Sequence, residues 1–174
     1  MFALGLQGSP RMKGNTHYLL SAFMKEIESY NIETRIIHVN EVNVEPCREL
    51  IVCEKKGYCP LKDDMEEIYG LIRRADIIVL ATPVFFYSVT AQLKILIDRC
   101  QMFWGRKYRL GLKDPAFDQR QGFVLSAGAS GGSKLFTGIH LVAEYFFDAV
   151  SARYTGSLTY KKIEAKGEIA RHPS

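Results

Sequence analysis

The order of apolar and polar positions along this chain predicts buried strands that alternate with amphipathic helices. Short apolar or alternating segments predict strands at residues 2–6, 33–39, 76–81, 122–126 and 152–160. Apolar residues at helical spacing predict helices over 15–30, from Asp63 onward, over 90–104 and over 134–149. Strands that alternate with helices in this way favour a parallel sheet covered by helices on both faces.

Length and composition narrow the fold. With 174 residues, 47% apolar and 24% charged, we expect one domain over residues 1–174 with a sizeable core. Five strands and four helices predict an α/β, flavodoxin-like doubly wound fold with a five-stranded parallel sheet. The chain shows no apolar run of bilayer length and no signal-peptide layout, so we expect a cytoplasmic protein with no membrane contact.

The charge balance bears on the class of partner. The net charge is +4, and the positive residues are scattered except at residues 106–109. This pattern favours small anionic ligands and argues against nucleic acid.

A polar loop, GSPRMKGNT (8–16), joins the first predicted strand to the first predicted helix. The free N–H groups of a helix N-terminus are well suited to a phosphate. Further donors or positive charge could come from five side chains of the loop: Ser9, Arg11, Lys13, Asn15 and Thr16. The loop matches neither the dinucleotide-binding motif G-x-G-x-x-G nor the P-loop motif G-x-x-x-x-G-K-[ST], so a monophosphate is the expected ligand. An ordinary turn with a polar cap is the alternative.

Two more loops follow the third and fourth strands, ATPVFF (81–86) and AGASGG (127–132). In doubly wound sheets ligands bind beyond the carboxyl ends of the strands, so the three loops should meet. The glycine-rich loop would let backbone N–H groups approach a planar ring closely. The aromatic residues at 85–87 could line that ring, or they could instead fill the core.

Five motifs occur in an order and spacing that resemble the NADPH-dependent FMN reductase family, and within it the iron–sulfur flavoprotein-like members. They are GSPRMKGNT, DDM (63–65), ATPVFF, QLKILIDR (92–99) and SAGASGG (126–132), and the resemblance covers residues 1 to about 160. It implies a flavodoxin-like fold, non-covalent FMN and a homodimer or homotetramer.

The resemblance also implies the cofactor-binding residues. The phosphate loop corresponds to Ser9, Arg11, Asn15 and Thr16, with Lys13 inside it. The loop along the isoalloxazine corresponds to Pro83, Val84, Phe85 and Phe86. The loop near its pyrimidine end corresponds to Ala127, Gly128, Ala129, Ser130 and Gly131. No side chain stands out as an acid, base or nucleophile, so no catalytic residue is predicted and FMN is expected to carry the chemistry.

These observations predict an FMN-dependent NAD(P)H oxidoreductase that passes electrons to flavin, quinone or another small acceptor. A flavodoxin-like or iron–sulfur flavoprotein electron carrier without NAD(P)H turnover of its own is the alternative. The positive net charge argues against such a carrier. A non-catalytic flavin-binding module also stays open.

The connection at 40–62 holds Cys47, Cys53 and Cys59 at C-x5-C-x5-C spacing. In the iron–sulfur members the loop resembles C-x2-C-x2-C followed by a fourth cysteine, and this chain has Leu50 at one of those positions. Because a [4Fe–4S] cluster normally takes four thiolates, we expect reduced thiols and no metal. A cluster on these three cysteines, zinc or a redox disulfide remain alternatives.

Two further expectations concern assembly. Phe103 and Trp104, at the end of the helix over 90–104, are predicted to lie at or near a subunit contact that helps to wall the flavin site; placement in the monomer core is the alternative. The resemblance implies one more helix after the last strand than this sequence contains. We therefore expect the uncovered sheet face to be buried against another subunit.

Overall fold

The computed structural model describes residues 1–112 and 119–172 and contains a sheet of five parallel strands. The strands are β1 (Phe2–Gln7), β2 (Glu33–His38), β3 (Ile77–Pro83), β4 (Arg120–Gly128) and β5 (Ala152–Lys161). Their order in the sheet is β2-β1-β3-β4-β5. The strand order reverses between β1 and β3, which is where a doubly wound sheet opens a ligand crevice. The predicted fold class is confirmed.

The helices agree with the predicted ones except at the short helix α2, which lies inside the predicted connection 40–62, and after residue 99. They are α1 (Asn15–Ser29), α2 (Val52–Lys56), α3 (Met65–Arg74), α4 (Ala91–Arg99), α5 (Gln101–Trp104) and α6 (Thr137–Ala149). The helix predicted over 90–104 is interrupted at Cys100, whose N–H donates to the carbonyls of both Leu96 and Ile97 and so tightens the turn. A π-helical turn over Gly105–Arg109 follows α5. In the described part of the chain, no helix is long and apolar enough to cross a bilayer.

Helices cover both faces of the sheet, as the alternating side chains of β1 show. Leu4 and Leu6 belong to the larger core, which includes residues of α3, α4, α5 and α6. Ala3 lies on the opposite face and packs with Leu20 and Met24 of α1. Because strand side chains alternate between faces, this strand contributes to two cores at once.

Phe103 lies in the monomer core, which was the alternative to its predicted place at or near a subunit contact. Its side chain is 7% exposed and belongs to the core, where it meets Tyr69 edge-on with ring centroids 5.6 Å apart. The Arg73 guanidinium covers the same ring at 5.7 Å from its centroid. Trp104 is half-buried, and its place at a subunit contact stays a prediction.

Candidate cofactor site at the carboxyl edge of the sheet

The loops that follow β1, β3 and β4 line one cleft of about 220 Å³ at the carboxyl edge of the sheet. Among the residues predicted for the cofactor, the cleft is lined by Ser9, Arg11, Asn15, Thr16, Pro83, Val84, Phe85, Ala127, Gly128 and Ala129. The predicted residues outside its lining are Lys13, Phe86, Ser130 and Gly131. The expectation that three loops meet at the switch point therefore agrees with this geometry.

Five lining residues were missed from the sequence: Pro10, Gly14, Ile163, Glu164 and Lys166. The last three follow β5 and belong to a polar stretch without hydrophobic periodicity. No sequence signal placed that stretch beside the first loop of the chain.

The first turn of α1 is open toward the cleft. Gly14 precedes this helix and no side chain caps it. The first backbone hydrogen bond of α1 is donated by Tyr18 to the Gly14 carbonyl at 3.0 Å. The N–H groups of residues 15–17 therefore lack an acceptor within the helix. Ser9 is buried, and its Oγ accepts the N–H of Arg11 at 3.1 Å, which shapes the preceding turn.

Gly8 fixes this loop to the rest of the sheet. Its N–H donates to the Ala81 carbonyl of β3 at 2.7 Å, and its carbonyl accepts the Thr90 hydroxyl at 2.6 Å. Thr90 Oγ1 also accepts the N–H of Leu93 and so caps α4. A Cβ at Gly8 would come within 2.9 Å of the Leu93 side chain, so this close approach requires glycine.

The aromatic segment after β3 forms a tight turn at the rim of the cleft. Phe85 and Ser88 exchange two backbone hydrogen bonds of 3.0 Å. The two central residues, Phe86 and Tyr87, have φ of 47° and 61°, a region that glycine and asparagine normally occupy in such turns. Phe85, Phe86 and Tyr87 are 48%, 104% and 52% exposed, so the alternative that they fill the core is wrong.

Gly138, in the first turn of α6, lies directly beneath this turn. A Cβ at Gly138 would lie 2.2 Å from the Tyr87 carbonyl oxygen. The backbone of the aromatic turn can therefore rest on α6 only because residue 138 has no side chain. Since two left-handed non-glycine residues cost free energy, this packing helps to hold the turn in its strained form.

The three loop cysteines surround a second cavity of about 470 Å³, and Leu50 lines it with them. Cys47 is exposed, whereas Cys53 and Cys59 are half-buried. Burial, together with the neighbouring Cys59, raises the pKa of the Cys53 thiol, which therefore stays protonated at neutral pH. Within residues 1–112 and 119–172, no group of three or more His, Cys, Asp or Glu side chains is placed to hold a metal ion.

Comparison with known proteins gives consistent matches. A family model described as NADPH-dependent FMN reductase matches residues 1–155. An iron-sulfur flavoprotein of Methanocaldococcus jannaschii is 34% identical over 146 residues, which is 84% of this chain and 72% of that protein. An iron-sulfur flavoprotein of Archaeoglobus fulgidus is 39% identical over 99 residues, which is 57% of this chain and only 45% of that protein.

Among solved structures, the FMN-dependent NADH-azoreductase of Bacillus anthracis in complex with FMN has a TM-score of 0.73. The two chains are 13% identical, and the match covers 98% of this chain and 93% of the azoreductase. At that identity the likeness shows a shared fold.

Proposed function

Because this chain belongs to the NADPH-dependent FMN reductase family, we propose that it transfers electrons from NAD(P)H through FMN to a small acceptor such as free flavin or a quinone. Membership makes it an NAD(P)H-dependent flavin oxidoreductase with FMN as its cofactor. The donor's preference between NADH and NADPH, the acceptor and the residue roles are part of the proposal. The observation that carries it is the cleft in which three strand-end loops meet.

We propose that the phosphate of FMN binds at the first turn of α1. The open N–H groups of residues 15–17 and the helix dipole favour an anion there. Arg11 lines the same end of the cleft, and its side chain has no hydrogen bond or ion pair with another described residue. An unpaired guanidinium beside open amide groups is a chemistry that fits a phosphate.

We propose that the flavin ring binds between the loops after β3 and β4. A Cβ at Gly128 would lie 2.8 Å from the Val84 side chain, so glycine lets these two loops approach each other. Ala127 and Gly128 are the last residues of β4, so we assign contact with the polar edge of the ring to backbone N–H groups of the loop from Ala129 onward. When bound, FMN supplies hydride transfer, while the protein binds it, orients it and limits access of water.

The cleft is smaller than most ligand pockets, which measure about 300–1,000 Å³. Part of the ring would therefore extend beyond it, toward the exposed Phe86. That position leaves one ring face accessible to a nicotinamide and then to a planar acceptor. Phe86, which lies outside the lining of the cleft, would serve these second molecules and the outer edge of the ring.

A homodimer or homotetramer is part of the proposal. A groove of about 650 Å³ separates α4 and α5 from α6, and Trp104 lines it together with Leu141 and Tyr145. Leu141 and Tyr145 are both more than half exposed, although they are large apolar residues. Exposed apolar surface of this kind is typical of subunit contacts, which supports a contact through this groove.

The matched iron-sulfur flavoproteins raise the question of a cluster in this chain. The residues present do not fit a four-thiolate cluster, because three cysteines line the cavity together with Leu50, one thiolate fewer than such a cluster normally takes. We therefore assign electron transfer to FMN alone and treat the cysteines as thiols.

Steady-state oxidation of NADH and NADPH by the FMN-loaded protein tests this function. We expect saturable turnover with free flavin or a quinone as acceptor, and no turnover after FMN is removed. A one-electron carrier would accept electrons from a chemical reductant without oxidising NAD(P)H at a catalytic rate. A binding module would bind FMN and show neither reaction, so either result would overturn the proposal.

A further inference from the structure

The segment that follows β5, residues 163–172, folds back over the phosphate end of the cleft. Its path begins where Lys162 N–H donates to the Ser130 carbonyl at 3.3 Å and Ile163 N–H donates to the Gly128 carbonyl at 3.1 Å. Ile163 and Ile169 are buried and form a small apolar cluster with Ala127. The segment is therefore packed against the loop after β4.

Asn15 joins this segment to the first turn of α1. Its Nδ2 donates to the Ala165 carbonyl at 2.9 Å, and its Oδ1 accepts the N–H of Ile169 at 3.3 Å. Both polar atoms of the amide are thus used by the segment. Through its side chain Asn15 holds the segment, which leaves its backbone N–H and the second hydrogen of Nδ2 for a phosphate.

The intervening loop has its own support. The carboxylate of Glu168 accepts the N–H groups of Glu164 and Ala165 at 2.7 and 2.9 Å. Gly167, with φ of 79°, allows the chain to turn at this point. Lys166 is therefore held in a defined loop directly beside Asn15.

Lys166 lines the cleft together with Arg11 and Glu164. Among the residues described, the Lys166 ammonium has no hydrogen bond or ion pair. The lining at this end of the cleft has two cations, Arg11 and Lys166, and one carboxylate, Glu164. The positive end of α1 adds to the cations, so this end of the cleft favours an anion. The two cations come from opposite termini of the chain.

We propose that residues 163–169 form part of the FMN phosphate site, with Lys166 as a second phosphate-binding cation and Asn15 as the positioning residue that holds the segment. This inference rests on the proposed function, because it takes FMN to be the ligand of the cleft. A phosphate held by α1 and Arg11 is then enclosed by Lys166. Release of FMN requires the Asn15 hydrogen bonds to open.

Calorimetric titration of the cofactor-free full chain with FMN and with riboflavin tests the role of Lys166. We expect Lys166→Ala to weaken FMN binding about 10- to 100-fold, as for a lost charge-assisted hydrogen bond, and to leave riboflavin binding unchanged. Lys161→Ala is the matched control, since Lys161 is an exposed lysine nearby that does not line the cleft. It should change FMN binding less than about twofold.

Asn15→Ala tests the positioning role. It should accelerate FMN dissociation and expose residues 163–172 to limited proteolysis in the presence of FMN. If Asn15 acts through Lys166, the double variant Asn15→Ala/Lys166→Ala should have about the same affinity for FMN as the single variant that binds FMN less tightly, because coupled effects do not add. Fully additive losses, or a segment that remains protected in Asn15→Ala, would contradict this role.

The two proposals fail separately. If the wild-type chain prefers FMN over riboflavin while Lys166→Ala behaves like Lys161→Ala, the inference about the segment is wrong and the FMN site stands. If the wild-type chain binds FMN no better than riboflavin, the phosphate site itself is wrong.

Discussion

Arg99 and Asp63 form a two-point ion pair in the interior, with Nη1 2.5 Å from Oδ2 and Nη2 3.2 Å from Oδ1. Their side chains are 1% and 2% exposed. Arg99 also donates to the Glu45 carbonyl, and Asp63 accepts the N–H groups of Glu45 and Met65. The pair therefore fixes to α4 both ends of the segment 45–63, which holds Cys47, Cys53 and Cys59 and is called the cysteine loop below. Burial alone would raise the pKa of Asp63, but the hydrogen bonds from Arg99 and the two N–H groups outweigh it and keep that pKa below its usual range.

We expect Asp63→Ala to lower the free energy of unfolding by about 3–5 kcal/mol, because it leaves the Arg99 charge buried without a partner. Urea denaturation at pH 7 measures the loss. Asp98→Ala is the control: it removes an exposed pair with Lys94, in which both side chains are 46% exposed, and should cost about 1 kcal/mol or less. Equal losses in the two variants would show that the buried pair contributes no more than a surface pair.

Two helical glycines should respond in opposite directions to the same substitution. Gly138→Ala should destabilise the protein by about 1–3 kcal/mol, because its Cβ meets the Tyr87 carbonyl oxygen. Gly70→Ala, in α3, has no atom within 4 Å of its Cβ and should stabilise the protein by about 0.5–1 kcal/mol. Thermal denaturation compares the two variants. A Gly138→Ala protein as stable as the wild type would mean that the aromatic turn does not rest on α6.

Arg11 and Lys13 lie in the same loop, but only Arg11 lines the cleft. We expect Arg11→Ala to weaken FMN binding by about 1–3 kcal/mol, as for a hydrogen bond to a charged group. Riboflavin binding should not change. Lys13→Ala removes the same charge outside the cleft and should have a much smaller effect. Similar losses would indicate a general effect of positive charge on a phosphate.

We expect the residue at position 50 to determine whether the cysteine loop can bind an iron–sulfur cluster. Anaerobic reconstitution with iron and sulfide should leave the wild-type chain without a stable four-iron cluster, since only three loop thiols are present. Leu50→Cys adds a fourth thiol to the same cavity and should retain more iron, with broad visible absorption beside that of flavin. Metal analysis that finds about four irons per wild-type chain would overturn the assignment of electron transfer to FMN alone.

His17 and His38 stack with ring centroids 5.5 Å apart. Burial, followed by the charges of His38 and Lys13, lowers the pKa of His17 below its ordinary value. Because the folded pKa lies below the unfolded one, the stability linked to His17 is present above about pH 6.5. It is lost as the pH falls through the lowered folded pKa.

Titration of the imidazole resonances by NMR checks this shift. The His17 pKa should lie below about 6.5, and His38→Gln should move it part of the way back, since burial remains. His172→Gln changes a histidine that packs on Tyr160 instead and should have no effect. A His17 pKa at or above the ordinary value would show that burial does not disfavour the charged imidazolium of His17.

The strands and the cleft could be predicted because their signals are local. Residues 77–81 form a continuous apolar run within β3, and residues 8–16 combine a strand end with a helix start. The Arg99–Asp63 pair could not be predicted, since its partners are 36 residues apart and each would serve equally well on a solvated surface. Lys166 was missed for a similar reason: its position depends on the side chain of Asn15, at the other end of the sequence.

Phe103 shows the limit of the hydrophobic pattern. An apolar cluster at a helix end looks the same whether it fills the core or contacts a second subunit. The interruption of the helix at Cys100 and the ring of Tyr69 decide the outcome, and neither is visible as a periodic signal.

The position of β1 between β2 and β3 has a consequence for synthesis on the ribosome. Ala3 pairs with Thr34 on one side and with Ile77 on the other, so β1 must wait until β3 is synthesised before both its edges are paired. During that interval one edge of β1 can pair with another chain, and closing so long a loop is slow. Gly8 receives its Ala81 partner in the same event. A nascent chain therefore gains a competent phosphate loop only after residues 77–83 have left the exit tunnel.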